Sequence, residues 1–167
     1  MRTGRSICQW LATPKVNYYL NNYNTHMQEI NLNPITVRTT VEAPVAKVWQ
    51  FWTSPQHITQ WCVATDTWHT PRAENDVRPG GKFLSRMEAK DGSMGFDLEG
   101  VYNDVIENEL ITYAMTDGRK VKVVFGEENG FTQITETFDP ETMNPVEMQQ
   151  AGWQAIMDSF KSYTEAN

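Results

Sequence analysis

The stretch from Val77 to Tyr102 reads VRPGGKFLSRMEAKDGSMGFDLEGVY and decides the fold. It opens on a turn signal, Arg78-Pro79-Gly80-Gly81, and an Asp91-Gly92 pair divides the rest into two alternating runs. Asp-Gly between alternating runs is a strong signal for a β-hairpin. The stretch therefore predicts one strand over Lys82 to Glu88 and a partner strand over Phe96 to Tyr102.

The glycine pair Gly80-Gly81 has two interpretations. A phosphate-binding glycine loop needs a strand before it and a helix after it, whereas a strand follows here. We therefore interpret the pair as a tight turn in which both glycines supply a positive φ.

The same alternation continues on both sides of this hairpin. The run from Ile35 to Glu42 is rich in β-branched residues and predicts a first strand. Later strands are predicted over Leu110 to Met115, Lys120 to Glu127 and Phe131 to Phe138, separated by Asp-Gly and Asn-Gly turns. Successive strands joined by short turns predict an antiparallel meander.

Prolines mark three helix starts. Pro44 opens a short helix, and Ser54-Pro55 opens a second, with serine expected as its cap. The sequence Asn144-Pro145-Val146-Glu147 predicts a long C-terminal helix with an asparagine cap. One nearly apolar stripe of that helix must be buried against the meander: Val146, Gln149, Trp153, Ile156, Met157, Phe160 and Tyr163.

The composition is that of one soluble domain. The chain has 167 residues, 40% of them hydrophobic, and a formal net charge of −7. Nucleic acids and anionic membrane surfaces need clustered Lys and Arg, so neither is an expected partner, and no apolar window is long enough for a membrane span. Cys8 and Cys62 lie far apart, which makes the reducing cytoplasm the expected location. His26, His57 and His69 have no metal-ligand spacing, so we expect no metal and no cofactor.

The N-terminal segment differs from the rest of the chain. Residues 1–33 show neither helical nor strand periodicity, and we expect a poorly ordered extension before a domain spanning residues 34–167. Because every recognisable pattern begins after Met27, we hypothesise that Met27 is the native start.

The order of these elements is one strand, two short helices, several antiparallel strands and one long helix. It resembles the helix-grip fold of the START-like (SRPBCC, birch-pollen-allergen-like) superfamily, an α+β fold in which a curved antiparallel sheet wraps around the C-terminal helix. Within it, the chain resembles the family named for the C-terminal domain of the activator of the ninety-kilodalton heat-shock chaperone's ATPase. The matching pieces are Ala43–Trp49, Trp61, Asp76–Phe83, Gly100–Tyr102 and Gly152-Trp153.

The resemblance implies a hydrophobic cavity between the sheet and the long helix. We expect its lining to include Phe83, Met87, Phe96, Tyr113, Val123, Trp153, Met157 and Phe160. Glu136 shares a strand face with Ile134 and Phe138, so we expect it to turn inward as a polar anchor with a pKa raised by burial. Asp97 and Glu99 should point to solvent.

Three functions remain open from the sequence. We favour non-catalytic binding of a small hydrophobic molecule or lipid, oriented by Glu136, Tyr113 or Arg86. The second is an interaction module that acts on a chaperone or another protein partner. The third is a cyclase- or hydrolase-like enzyme, which requires at least two polar groups that converge inside the cavity.

Overall fold

The computed structural model describes residues 33–167, and in this range one curved sheet packs with three helices. In chain order the elements are β1 (Ile35–Val41), α1 (Val45–Thr53), α2 (Pro55–Trp61), β2 (Trp68–Asn75), β3 (Lys82–Ala89), β4 (Gly95–Ile106), β5 (Leu110–Met115), β6 (Lys120–Glu128), β7 (Phe131–Phe138) and α3 (Val146–Ala166). The predicted α+β helix-grip architecture is confirmed. The expectations for residues 1–32, including Met27 as the native start, lie outside the described residues.

The seven strands of the described range form one antiparallel sheet in the order β1-β7-β6-β5-β4-β3-β2. The strands β2 to β7 form a meander, and β1 pairs with β7 at the far edge. The turn between β6 and β7 is Asn129-Gly130, where both residues have positive φ angles of 53° and 81°. Two successive positive φ angles match the right-handed twist of the flanking strands. Tight turns of this kind allow the sheet to curl.

The helices begin close to where proline predicts, but the expected side-chain caps are not formed. Ser54 occupies the capping position of α2 without a side-chain hydrogen bond, and Pro145, not Asn144, is the capping residue of α3. The buried Gln149 fixes the start of α3 instead. Its Nε2 donates to the carbonyls of Asn144 and Glu141, at 2.8 and 3.0 Å. This role explains a glutamine in an otherwise apolar stripe.

The predicted stripe of α3 is correct except at its first member. Trp153, Met157 and Phe160 are buried, but Val146 is 43% exposed. Val146 is the first residue of the helix, directly after the capping residue Pro145.

Polar side chains of α3 bind the free edge of β1. Gln154 Nε2 donates to the Arg38 carbonyl at 3.1 Å, and the Arg38 N–H donates to Gln154 Oε1 at 3.3 Å. Further along, Lys161 Nζ donates to the Thr40 carbonyl at 2.6 Å. These bonds occupy backbone groups that an edge strand otherwise leaves unpaired. They also fix the rotation of α3, so that Trp153 faces the sheet.

The turn before β3 depends on one close approach. Gly80 has the expected positive φ of 79°, but Gly81 does not, so the expectation of two positive angles is wrong for Gly81. Gly81 is needed for a different reason, because a β-carbon there would lie 1.9 Å from the Asp76 carbonyl oxygen. The Gly81 carbonyl accepts from the Tyr102 N–H at 2.9 Å, which fixes the turn against β4.

We predict that Gly81→Ala destabilises the fold, whereas Gly126→Ala does not. The added methyl group at residue 81 would displace backbone atoms, at a cost of about 2 kcal/mol or more. A β-carbon at Gly126 meets nothing within 4 Å, so the same change there serves as the control. Urea unfolding of both variants measures the difference, and equal stability of the two variants would contradict the account of the turn.

Candidate functional site

A pocket of about 90 Å³ lies between the concave face of the sheet and the helices. Six of its fifteen lining residues are Trp, Phe or Tyr and four are Ile or Leu, so aromatic and aliphatic side chains form most of its wall. The lining residues are Trp52, Ile58, Trp61, Cys62, Glu74, Asn75, Phe83, Ser85, Leu98, Tyr102, Ile111, Tyr113, Glu136, Trp153 and Ile156.

The Phe83 ring lines the pocket because its strand partner is a glycine, which leaves room for the ring. Gly100 on β4 pairs with Phe83 on β3, and a β-carbon on Gly100 would come within 2.8 Å of the Phe83 ring. The ring therefore lies across the glycine and contacts Tyr113 edge-to-face, with 4.8 Å between centroids. Tyr102 completes this aromatic wall at 5.3 Å from Phe83.

The two short helices cover the pocket with tryptophans. Trp52 of α1 and Trp61 of α2 stack at 5.2 Å, and both meet Phe160 of α3 edge-on, at 4.8 and 4.9 Å. The indole N–H of Trp61 donates to the Phe51 carbonyl at 2.9 Å, which joins α2 to α1. The helices thus form an aromatic cover that α3 holds in place.

A chain of hydrogen bonds connects the pocket wall to the end of α1. The Tyr102 hydroxyl donates to Asn75 Oδ1 at 2.6 Å, and Asn75 Nδ2 donates to the Thr53 carbonyl at 2.7 Å. Burial raises the pKa of Tyr102, so the phenol stays neutral in this position.

Glu136 is the carboxyl group inside this aromatic enclosure. It is 6% exposed, and burial raises its pKa to about 8, although a hydrogen bond with Tyr113 acts in the opposite direction. Burial and the charge of Glu136 both raise the pKa of Tyr113. None of the ion pairs formed within residues 33–167 includes Glu136. At neutral pH the pair is therefore a mainly protonated acid beside a neutral phenol.

The residues expected to line the cavity divide into two groups. Phe83, Tyr113, Glu136 and Trp153 line the pocket. The other five lie elsewhere: Met87, Val123, Met157 and Phe160 are fully buried in the core, and the half-buried Phe96 packs on Trp68 at 5.9 Å. The burial of Glu136 and the solvent exposure of Asp97 and Glu99 are confirmed.

Arg86, expected as one of the groups that orient a ligand, does not line the pocket. Its guanidinium binds Glu88 at 2.8 Å and Asp97 at 3.4 Å. The neighbours Ser85 and Met87 face the interior, and a strand alternates its faces, so Arg86 points away from the pocket.

Several pocket residues escaped the sequence analysis. Tyr102 shares strand parity with Phe96 and Leu98, so alternation could have identified it. Trp52 and Trp61 belong to the short helices, and only the placement of these helices over the sheet brings the two rings to the pocket. Ser85 lies on the same strand face as Phe83 and Met87, but a small polar residue is not by itself a signal of a pocket wall.

Residues 33–167 contain no group of three or more His, Cys, Asp or Glu side chains placed to hold a metal ion. None of the helices in that range is both long enough and apolar enough to cross a membrane.

A curved antiparallel sheet that grips one long helix, with two short helices after its first strand, defines a START-like domain. The family described as "Activator of Hsp90 ATPase homolog 1-like protein" matches residues 42–165, and the chain belongs to this family. A search of curated proteins finds no match.

Solved structures agree with the family assignment. The solution structure of an AHSA1-like protein from Aeromonas hydrophila is 42% identical, with a TM-score of 0.76, over 80% of this chain and 92% of that one. The solution structure of Chr148 from Cytophaga hutchinsonii is 56% identical, with a TM-score of 0.71, over 81% of this chain and 94% of that one. Protein CV1439 from Chromobacterium violaceum has the same fold at 17% identity, with a TM-score of 0.72 over 81% and 99% of the two chains.

We predict that Glu136 makes folding stability fall as the pH rises from about 5.5 to 7.5. The folded protein retains a proton on Glu136 up to a pKa of about 8, whereas the unfolded chain releases it near the ordinary value of 4.5. The unfolded state therefore binds fewer protons in this window, and this one group lowers the free energy of unfolding by about 1.4 kcal/mol per pH unit.

Urea unfolding at several pH values, compared between the wild type and Glu136→Gln, isolates this contribution. The wild type should lose stability relative to Glu136→Gln as the pH rises. Glu99→Gln changes an exposed carboxylate on β4 and should follow the wild type. A wild type that gains stability over Glu136→Gln in this window would contradict the buried, protonated state.

Proposed function

We propose that this domain binds a small, mainly apolar organic molecule in the pocket between the sheet and α3, without catalysing a reaction on it, and that it does so in the cytoplasm. The observation that carries the proposal is the composition of the pocket wall. Six aromatic rings and several aliphatic side chains surround a few polar groups, chiefly Glu136 with Tyr113. An apolar wall with a few convergent polar groups is typical of small-molecule sites.

The size of the pocket limits what fits without movement. An engineered apolar cavity of about 150 Å³ binds benzene, and the pocket here has about 90 Å³. A molecule of a few heavy atoms fits the pocket as it stands. Larger molecules, including lipids, require the half-buried Trp52 or Ile156 to move aside.

We predict that Ser85→Leu abolishes binding and that Ser93→Leu does not. Ser85 is a small, buried residue of the pocket wall, so a leucine side chain there fills the free volume. Ser93 lies exposed in the turn between β3 and β4 and receives the same chemical change. Native mass spectrometry of protein purified without detergent should detect a small-molecule adduct on the wild type and on Ser93→Leu. Organic extraction should then identify it.

The opposite pattern would reject the proposal. An adduct that persists on Ser85→Leu binds outside the pocket. If the wild type carries no adduct and no member of a panel of single-ring and short-chain compounds raises its melting temperature, the pocket binds no small molecule.

A second candidate function is catalysis in the same pocket. The observation that favours it is the contact between Glu136 and Tyr113, because two polar groups converge where an enzyme would need them. A carboxyl group with a pKa of about 8 can exchange a proton near neutral pH. Recovery of the bound molecule chemically unchanged after prolonged incubation distinguishes binding from turnover.

The remaining alternative is a protein-interaction role with a chaperone or another partner. A row of apolar side chains on the convex face of the sheet supports this role. Ile106 pairs with Leu110, and Leu110 pairs with Val124 on the next strand. The side chains of Ile106 and Val124 are 48% and 39% exposed. A Val124→Lys variant that loses a partner captured by the wild type, while Ser85→Leu retains it, would favour this role.

A further inference from the structure

We infer that the molecule bound in this pocket is a small organic cation of the alkyl- or arylalkyl-ammonium class, with its charged nitrogen against Glu136 and its hydrocarbon part among the tryptophan rings. This inference rests on the proposed function and specifies its ligand class.

The charge of the pocket wall supports a cation. Glu136 lies inside, and Glu74 lies at the rim, where its side chain is 68% exposed and pairs with Arg72 at 3.7 Å. Among the lining residues, all of which belong to the described range 33–167, there is no Lys, Arg or His. A ligand carboxylate or phosphate would therefore find no cationic lining residue to pair with, whereas an ammonium group can form an ion pair with Glu136 when that carboxyl group gives up its proton.

The aromatic rings point to the same ligand class. The faces of aromatic rings carry partial negative charge, so a wall rich in such rings favours a cationic ligand over an anionic one. Trp52, Trp61 and Trp153 all line the pocket. Their bodies also bury hydrocarbon, so a cation with a short apolar substituent satisfies both parts of the wall.

Glu136 has identifiable titratable neighbours in this enclosure. The titratable residues that share the pocket lining with Glu136 are Tyr113 from β5, Tyr102 from β4, Cys62 at the end of α2 and Glu74 from β2, and Tyr113 is the one whose hydrogen bond acts on its carboxyl group. The charge of Arg119, in the turn before β6, lowers the pKa of Tyr113, and the Arg119 guanidinium binds Asp117 at 2.8 Å.

The other surroundings of Glu136 are uncharged. The helices α1 and α3 contribute the lining residues Trp52, Trp153 and Ile156, and the strand partners of Glu136 are Val37 and Val123. The carboxyl group of Glu136 is therefore the group that responds to a bound charge at neutral pH.

Binding of a cation next to Glu136 should release a proton from the protein. In the free protein Glu136 keeps its proton up to a pKa of about 8. An ammonium ion pairs with the carboxylate form, so its binding at pH 7 releases close to one proton. Its affinity should consequently rise about tenfold per pH unit between pH 6 and 7.5.

Matched ligands test the inference. Isothermal titration calorimetry at pH 7 uses two buffers that differ in ionisation enthalpy. It compares isobutylamine with isobutanol, the smaller pair, and benzylamine with benzyl alcohol and benzoate, which are larger than benzene and require Trp52 or Ile156 to move aside. We expect each amine to bind at least tenfold more tightly than its alcohol, benzoate to bind most weakly, and only the amines to release a proton. In Glu136→Gln the amine should lose at least tenfold in affinity, whereas Glu99→Gln should leave it unchanged.

Two results would overturn the inference, and they are distinguishable. If an alcohol binds the wild type as tightly as its amine and no proton is released, the pocket binds neutral molecules. The proposed function then stands, and the cation assignment fails. If none of the five compounds binds and the Ser85→Leu experiment also detects no pocket ligand, the proposed function fails together with the inference. Proton release is measured on the wild type, so the test does not depend on the folding of a variant.

Discussion

The helix α3 covers only part of the concave face of the sheet, and the pocket depends on that incomplete contact. Its polar side chains bind the backbone of β1, and Trp153 stacks on Phe138 with 4.1 Å between centroids. This places α3 toward the β1 edge of the sheet. On the opposite side, Phe83, Tyr102 and Tyr113 rise from β3, β4 and β5 and close the space that the helix does not fill.

Glu136 is the residue that fold stability alone does not explain. It occupies a fully enclosed position on β7, where its strand neighbours on the same face are Ile134 and Phe138. An apolar residue there would avoid the cost of burying a carboxyl group. The cost is reduced because burial keeps the Glu136 carboxyl group protonated and Tyr113 forms a hydrogen bond with it. Strongly shifted ionisable groups inside pockets are frequent at functional sites, and this is the physical reason for assigning a role to Glu136.

Much of the fold follows from local patterns in the sequence. Asp91-Gly92 and Asn129-Gly130 predict hairpins because few residues adopt positive φ easily, and prolines locate the helix starts within a residue. Ser54 lies at the capping position of α2, as predicted, but makes no side-chain hydrogen bond there. The predicted asparagine cap of α3 is not formed, and a buried glutamine, Gln149, fixes the loop before α3 in its place. That contact joins residues five positions apart through a turn whose shape the sequence does not reveal.

The site was less predictable than the fold. Strand parity correctly turns Phe83, Tyr113 and Glu136 inward, and parity depends only on the sequence. Whether an inward residue meets a neighbour or free space depends on the curl of the sheet and on where the helices lie. Met87 and Val123 point inward as well, but they lie beneath other side chains in the core. Trp52 and Trp61 reach the pocket only through the packing of α1 and α2 on α3.

The central claim is that the incompletely filled space under α3 takes up a small molecule. Methyl NMR spectroscopy tests it most directly, because Ile58, Leu98, Ile111 and Ile156 line the pocket whereas Ile106 and Val124 lie on the convex face. On titration with isobutylamine or benzylamine, the account predicts saturable shifts of the pocket methyl groups, with Ile106 and Val124 unchanged. Shifts confined to the convex face, or no shifts at concentrations well above millimolar, would contradict it.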